Sequence, residues 1–319
     1  MRGVSLSAVA AAGDLRAGGR WSRAQRWKNE LLFHAVRGGL GAADRLRPPA
    51  LERVLAILAR GVPHRALARR LAPALGARAA AEVARRWPLA LARNLAASLA
   101  LRDPGRAALD RVVVAPAAHA ALESIRRSSR GAIVVGAHVG PFELVPAVFA
   151  ELGHAPAIVV RESYDPRLDP LVDRHRVARG IRVIHRGHAG APFRIARALR
   201  SGSPVGFLVD LARSVPGVPM RLAGLGTRVA VGPVGLSLRL EVPMFGVGLR
   251  RVGTVSHERG AASAAGASWE LELTELRFTT ESSGLEEVER FLGELVAADP
   301  AEWLGLTDAD PLPALPRDP

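Results

Sequence analysis

The 319-residue chain carries a formal net charge of +14, has no cysteine, and contains one lysine beside forty-three arginines. The missing cysteine excludes disulfides, thiolate metal sites and cysteine nucleophiles. The longest stretch without a charge is residues 131–142, which is well short of the roughly 18 residues that a membrane-spanning helix needs. We therefore expect one large domain or two modest ones, and only peripheral contact with any membrane.

The charge is unevenly distributed along the chain. Residues 1–103 hold 19 basic and 6 acidic side chains, residues 104–251 hold 21 and 10, and residues 252–319 hold 4 and 14. This asymmetry predicts a basic working face and an acidic C-terminal region. Anionic lipid, an acidic carrier protein and nucleic acid all fit such a face, and charge alone does not choose between them.

The N-terminal third has a helical pattern. Residues 3–13 resemble a short signal peptide but are too weakly apolar for us to expect cleavage. Residues 20–28 interleave arginine with Trp21 and Trp27, which fits either a helix at an anionic membrane surface or a solvated helix with two core tryptophans. Three- and four-residue apolar spacing continues to Leu101, so residues 1–103 are predicted to be a basic helical region that associates with a membrane.

From residue 104 onward, the pattern alternates between strands and helices. This alternation predicts an α/β domain over residues 104–303, with a mostly parallel sheet, followed by a loose proline-rich tail over residues 304–319. The last strand alternates apolar and polar residues, as a half-exposed antiparallel strand does. The predicted strands are 131–137, 155–161, 182–185, 204–210, 242–249 and 268–278, and the predicted helices are 141–152, 166–180, 190–201, 229–240 and 284–298.

Residues 131–143, GAIVVGAHVGPFE, form the central motif. An apolar strand leads to His138, Gly140 permits a sharp turn, and Pro141 suits the first position of a helix. Glu143 would then lie in the first helical turn, where the bend lets its carboxylate pair with the imidazole. The motif predicts that His138 is a general base oriented by Glu143. The alternative is a structural histidine in a strand-end pocket, but ligands bind at such strand ends in α/β sheets.

The run from His138 to Glu143 resembles the His-x-x-x-x-Asp/Glu motif of the lysophospholipid acyltransferase superfamily. It is most similar to the His-Phe-Gly-Asn-Trp-Glu box of the lauroyl and myristoyl acyltransferases of late lipid A biosynthesis. Five further blocks resemble that family in the same order, over about residues 94–303. They are Val160–Glu162, Asp173–Arg176, Ala198–Asp210, Gly224–Pro233 and Val242–Val247.

The resemblance implies a glycerophosphate-acyltransferase-like fold, an α/β mixed sheet flanked by helices, preceded here by the basic helical region. Four departures mark a divergent member, one of which is Asp210-Leu211 in place of the family's Asp-Gln. The N-terminal anchor common in the family is not convincing here, Phe-Phe-Gly has become Gly224-Leu-Gly226, and the tail has Trp303 without the following His-Arg-Arg.

The same resemblance singles out further site residues. Arg161 and Arg176 would hold a phosphate of the substrate through charge-assisted hydrogen bonds. Asp210 would contact Arg176 or position the acceptor, with a helix N-cap as the alternative. Backbone N–H groups around Gly140 and Phe142 would stabilise the oxyanion.

Two nearby histidines, His185 and His188, raise the question of a metal site. They have no acidic or cysteine residue at ligand spacing, so we interpret them as loop residues. We expect no cofactor and no bound metal.

These observations predict an acyltransferase that takes a fatty acyl group from acyl carrier protein or coenzyme A. The acceptor would be a hydroxyl of a membrane glycolipid such as a lipid A precursor, and the enzyme would lie on the cytoplasmic face of the bacterial inner membrane. Another glycolipid, such as a phosphatidylinositol mannoside, or a lysophospholipid is an alternative acceptor. The other alternative is a non-catalytic membrane-binding relative. A nucleic-acid partner is not expected, because the basic residues are scattered and no binding motif accompanies them.

Overall fold

The computed structural model describes residues 21–46, 48–103, 107–163, 165–212, 215–252 and 269–309. The signal-like stretch at 3–13 and residues 310–319 of the predicted tail lie outside these ranges. The N-terminal region is helical, as expected, and its first helix begins after a capping box in which Ser22 and Gln25 bond each other's backbone N–H groups. Its helices are α1 (Arg23–Arg45), α2 (Pro48–Ala59), α3 (Arg65–Leu75) and α4 (Ala77–Ala100).

The first two helices leave large apolar side chains in solvent. Trp27 is 80% exposed, so the interpretation of both tryptophans as core residues is wrong for Trp27, whereas Trp21 is half-buried. On α2, Val54, Ile57 and Leu58 are also exposed and share one face of the helix. None of the described helices combines the length and the hydropathy required to cross a bilayer.

The remainder of the chain forms an α/β unit around a seven-stranded sheet of order β1-β9-β8-β2-β5-β3-β4. Every neighbouring pair is parallel except β8 with β9, as the alternating last strand predicted. A separate antiparallel hairpin, β6–β7, follows β5. The strands are β1 (Val112–Val114), β2 (Ala132–Gly136), β3 (Ala157–Val160), β4 (Arg182–His185), β5 (Pro204–Leu208), β6 (Gly217–Leu222), β7 (Leu225–Ala230), β8 (Met244–Arg251) and β9 (Trp269–Leu276).

Helices cover both faces of this sheet, and each face has its own apolar core. Helix α10 approaches β8 so closely that a Cβ on Gly246 would lie 2.6 Å from the Phe291 ring. That position therefore requires glycine, because an added methyl group would push the helix away. These helices are α5 (Pro116–Arg127), α6 (Leu144–Glu151), α7 (Asp169–Ala178), α8 (Ala191–Arg200), α9 (Gly232–Leu240) and α10 (Glu281–Ala298).

The six predicted strands all occur, with β4 at its predicted bounds, and the mixed α/β fold class is confirmed. Three strands were not predicted: the short β1 and both strands of the hairpin. The helix expected over 229–240 begins at Gly232 because residues 225–230 pair with β6 instead.

The N-terminal helices are not isolated from the sheet. Leu71 of α3 and Ala80 and Val83 of α4 are buried in the same core as strands β2 and β5. The predicted division of the chain at residue 103 stays a prediction, but α3 and α4 pack as part of the α/β core.

Candidate active site

The loop that follows β2 carries the central motif. Gly140 adopts φ = +62°, a left-handed conformation in which glycine alone avoids a steric penalty. Val139 forms an isolated β-bridge with Trp303, and α6 does not begin until Leu144. The prediction that the helix starts at Pro141 is therefore wrong by three residues, because this pairing with a distant segment keeps the loop irregular.

His138 pairs with Asp210. Its Nδ1 lies 2.7 Å from Oδ1 of Asp210, and its backbone N–H donates to Oδ2 at 3.1 Å. Strands β2 and β5 are parallel neighbours in which Gly136 is opposite Leu208, so residues two positions beyond each strand end meet. Asp210 therefore does not pair with Arg176 and does not cap a helix. Because Asp210 holds the imidazole, the expectation that Glu143 orients it is wrong.

The pairing determines which tautomer the neutral His138 adopts. The Asp210 carboxylate accepts, so Nδ1 of the neutral His138 carries the proton and Nε2 keeps its lone pair. Burial alone would lower the pKa of His138, but the charge and hydrogen bond of Asp210, with the charge of Glu143, raise it above 6.5. Burial opposes ionisation of Asp210, yet the contacts with His138 and Trp303 hold the pKa of its carboxyl below 3.8.

Glu143 and Arg176 form a partly buried bidentate ion pair. Nε of Arg176 donates to Oε2 of Glu143 at 3.0 Å, and Nη2 donates to Oε1. Nη1 of the same guanidinium bonds Asp173 at 2.8 Å, and the other Asp173 oxygen lies 2.8 Å from Nε2 of His185. Arg176 is therefore held between two carboxylates, so its predicted phosphate contact would have to compete with them and stays a prediction.

Residues 302–304 pack against the loop that carries His138 and Gly140 (residues 137–143, called the catalytic loop below). Trp303, fully buried, donates its indole N–H to Oδ2 of Asp210 at 2.8 Å. The N–H of Leu304 donates to the His138 carbonyl, and the Gly140 N–H donates to the Glu302 carbonyl at 3.0 Å. The prediction of the Gly140 N–H as an oxyanion donor is wrong for this structure, because that donor already has an acceptor.

Helix α4 holds this C-terminal segment in place. Asn94 donates to one oxygen of the buried Glu302 carboxylate, Arg93 bonds the other, and the Trp87 indole donates to the Trp303 carbonyl. Sequence reasoning missed these contacts. The only features of the sequence that pointed to these contacts were Asn94 and Trp303. They mark the ends of the region that resembles the acyltransferase family.

Two other predicted site residues lie at the same strand ends. The Phe142 ring packs edge-on against the imidazole of His138, with 4.9 Å between the ring centroids. Arg161 follows β3 directly and is exposed at the rim of the cavity described next. The structure thus places Phe142 against His138 and Arg161 in the lining of the same cavity, and their predicted roles remain predictions.

A cavity of about 1150 Å³ opens at His138. Its volume exceeds the upper end of the usual range for small-ligand sites. Glu143, Asp173 and Arg176 line its polar part. Its apolar lining comes from α6 and from strands β2, β3 and β5, and includes Val134, Phe142, Val145, Pro146, Phe149, Ile158 and Phe207.

His185 is the last residue of β4 and His188 lies in the loop that follows, so the interpretation of both as loop residues is wrong for His185. Their rings stack with 5.6 Å between centroids, and only His185 makes a short contact to a carboxylate. Within the described ranges, no group of three or more histidine, aspartate or glutamate side chains is arranged to hold a metal ion.

The chain was compared with known proteins at family level. Residues 117–307, well over half of the chain, match the family model described as bacterial lipid A biosynthesis acyltransferase. A search of curated proteins gave no significant match. The matched range begins in α5 and ends beyond Trp303, so it contains the whole catalytic loop, Asp210 and Arg176. The chain belongs to the bacterial lipid A biosynthesis acyltransferase family.

Proposed function

We propose that the enzyme transfers a fatty acyl group from a thioester of acyl carrier protein or coenzyme A to a hydroxyl of a lipid A-type glycolipid. The observation that carries the proposal is the His138–Asp210 pair at the mouth of the large cavity. Because Nδ1 is hydrogen-bonded to Asp210, Nε2 is the nitrogen left to accept a substrate proton. The Asp210 carboxylate also raises the basicity of the ring.

In the proposed reaction, Nε2 of His138 takes the proton of the acceptor hydroxyl while that oxygen attacks the thioester carbonyl carbon. The resulting tetrahedral intermediate carries its negative charge on the former carbonyl oxygen. When it collapses, the C–S bond breaks and the imidazolium returns the proton to the thiolate. The products are an ester of the acceptor and the free thiol of the carrier, and no external oxidant or reductant is needed.

The apolar part of the cavity supports a long acyl donor. Phe142, Val145 and Phe149 provide a continuous apolar wall beside the base. We assign this wall to the acyl chain, because burying its methylene groups contributes about 0.8 kcal/mol each. Arg161, exposed at the rim, is positioned to meet a phosphate of the acceptor.

The exposed apolar side chains of α1 and α2 support peripheral contact with a membrane. Trp27 is flanked by Arg26 and Lys28, and a basic residue beside an exposed tryptophan suits the headgroup region of an anionic bilayer. We place the enzyme on the cytoplasmic face of the bacterial inner membrane, where carrier-bound acyl donors and glycolipid precursors meet.

The test is thioester turnover by the purified full chain, with acyl carrier protein loaded with C12–C18 chains and a lipid A precursor in mixed micelles. Wild type should release free carrier and add one acyl mass to the lipid. His138→Ala should lose at least about a hundredfold in rate, while Arg127→Glu, an exposed change on α5, should keep the wild-type rate. If wild type and His138→Ala turn over equally, the assignment of the base fails.

A second acceptor class keeps the same chemistry. Running the assay with lysophospholipid and with a phosphatidylinositol mannoside in place of the lipid A precursor separates the acceptors. If either lipid gives a larger kcat/KM than the lipid A precursor, that lipid becomes the proposed acceptor.

A further inference from the structure

One continuous part of the sequence has no carboxylate. Residues 174–209 contain eight arginines and three histidines but neither aspartate nor glutamate. They run from the second half of α7 through β4 and α8 to the end of β5. Strand β4 is the edge strand of the sheet, and α8 packs on β3, β4 and β5, so the arginines of β4 and α8 lie toward that end of the sheet.

Helix α8 presents the charged part of this stretch to solvent. Its outer face carries Phe193, which is 65% exposed, together with the exposed Arg194, Arg197 and Arg200. Within the described part of the chain, Arg197 and Arg200 form no ion pair, so no neighbouring carboxylate offsets their charge, whereas Arg290 on α10 pairs with glutamates. We call these four residues of α8, with Arg182 of β4, the β4–α8 surface.

The β4–α8 surface borders the catalytic cavity. A groove of about 700 Å³ between α7, β4 and α8 contains Arg182, Arg194 and Arg197. It shares two lining residues, Asp173 and His185, with the cavity that opens at His138. The inner side of α8 also lines that cavity, through Pro192 and Ile195.

We propose that the β4–α8 surface is the docking site of the acidic carrier protein that delivers the acyl thioester. The inference rests on the proposed function, since it assigns the donor side of that reaction. Unpaired arginines on a helix complement an acidic partner, and Phe193 offers the single aromatic anchor of a small polar interface. The groove then gives the prosthetic arm of the carrier a route past Asp173 and His185 to the base.

A membrane explains this surface less well. Interfacial binding needs a band of apolar side chains beside the charges, and the exposed apolar residues of this protein concentrate on α1 and α2. The outer face of α8 has Phe193 alone. Lipid and carrier are thus expected to bind different surfaces, so that both substrates can be present at once.

The experiment compares Arg197→Glu, Arg200→Glu and the milder Arg197→Gln with a matched control, Arg127→Glu. Arg127 ends α5 as Arg200 ends α8, so both reversals remove a cation from a helix C-terminus. Helix α5 packs on β9, at the other end of the sheet. KM is measured with acyl-carrier and with acyl-coenzyme A donors at low and high salt, and folding is checked by circular dichroism.

Each reversal on α8 should raise KM for the acyl-carrier donor about fivefold or more. Arg197→Gln should give a smaller rise, and high salt should reduce the differences between variants. The effect should be clearly smaller with the coenzyme A donor, and Arg127→Glu should match wild type. An equal KM in all variants, or the same rise in Arg127→Glu, overturns the docking site while thioester turnover by wild type leaves the proposed function standing.

If wild type turns over neither thioester, the proposed function fails, and direct binding of fluorescently labelled carrier decides the docking site. Weaker binding by the α8 variants than by Arg127→Glu supports the site, and equal binding overturns it. Loss of binding to phosphatidylglycerol vesicles with unchanged carrier binding would also overturn it, because the surface would then be a lipid-binding surface.

Discussion

The indole N–H of Trp303 donates a 2.8 Å hydrogen bond to the carboxylate oxygen of Asp210 that also accepts the backbone N–H of His138. The second oxygen of Asp210 is left for the imidazole. Burying a carboxylate costs free energy unless both oxygens accept hydrogen bonds. The Trp303 N–H supplies one of the hydrogen bonds to Asp210. The residue acts on the base through Asp210, as a positioning residue.

Trp303→Phe should keep the fold and lose the hydrogen bond. We expect kcat to fall about tenfold, with little change in KM, because the Asp210 carboxylate would be less firmly held. The free energy of unfolding should fall by about 1–3 kcal/mol, since one buried acceptor loses a donor. Steady-state kinetics and urea unfolding measure the two effects. A rise in KM with kcat unchanged would contradict the positioning role.

Asp210→Asn tests the electrostatics of the base by its pH dependence. The base must be neutral to accept a proton, so the rate of wild type should rise with pH through a pKa above 6.5. Without the carboxylate charge, burial dominates and the pKa of His138 falls. The variant should therefore be about a hundredfold or more slower, and its rate should level off at lower pH than that of wild type.

The control for this prediction is Glu143→Gln, which removes a weaker influence on the same pKa. It should move the midpoint of the pH–rate profile in the same direction but by less. A midpoint that stays in place in Asp210→Asn would show that the titrating group is not His138.

The contrast between Glu143 and Asp210 shows how far the sequence could lead. Spacing in the chain offered Glu143 as the nearest carboxylate, and both His138 and Asp210 were identified as polar residues at strand ends. Their pairing depends on β2 and β5 being neighbours although β3 and β4 lie between them in the chain. Strand order is set by packing of the whole sheet, which local pattern does not encode.

The local sequence explains why three strands were not predicted. Strand β1 has only three residues, and the short apolar alternation of the hairpin strands is interrupted by Pro219 in β6 and Gly226 in β7. The buried strands β2 and β5, with continuous apolar runs, were recognisable because parallel strands covered on both faces have that composition. The part of the site formed by residues 299–304 depends on contacts with residues that lie 93 and 208 positions away in the chain.

The Glu143–Arg176 pair predicts a strongly non-additive double-mutant cycle. Arg176→Met should lower the free energy of unfolding by about 3 kcal/mol, because it leaves the partly buried Glu143 and Asp173 carboxylates without their cation, and Glu143→Gln should cost less, because Asp173 still pairs with Arg176. The double variant should be less destabilised than the sum of the two. Thermal or urea unfolding of the four proteins gives the coupling energy, and additive losses would contradict a direct pair.

Glu302→Gln tests the link between helix α4 and the catalytic loop. The Glu302 carboxylate is buried and bonded by Arg93 and Asn94. Removing its charge should lower the free energy of unfolding by about 1–3 kcal/mol and slow turnover, because the neighbouring backbone holds Gly140. Glu294→Gln, on the exposed side of α10, is the matched control and should change neither quantity. Wild-type stability in Glu302→Gln would contradict the link.

The hydrogen bonds from Leu304 to His138 and from Gly140 to Glu302 join two segments that are more than 150 residues apart in the chain. A ribosome that has made only the first three hundred residues has already produced the base and its carboxylate partner, yet not the segment that shapes their surroundings. Newly made chains should therefore remain inactive toward lipid until synthesis has passed Leu304. Acylation would then begin only in chains that extend past residue 304, whatever order the helices and strands fold in.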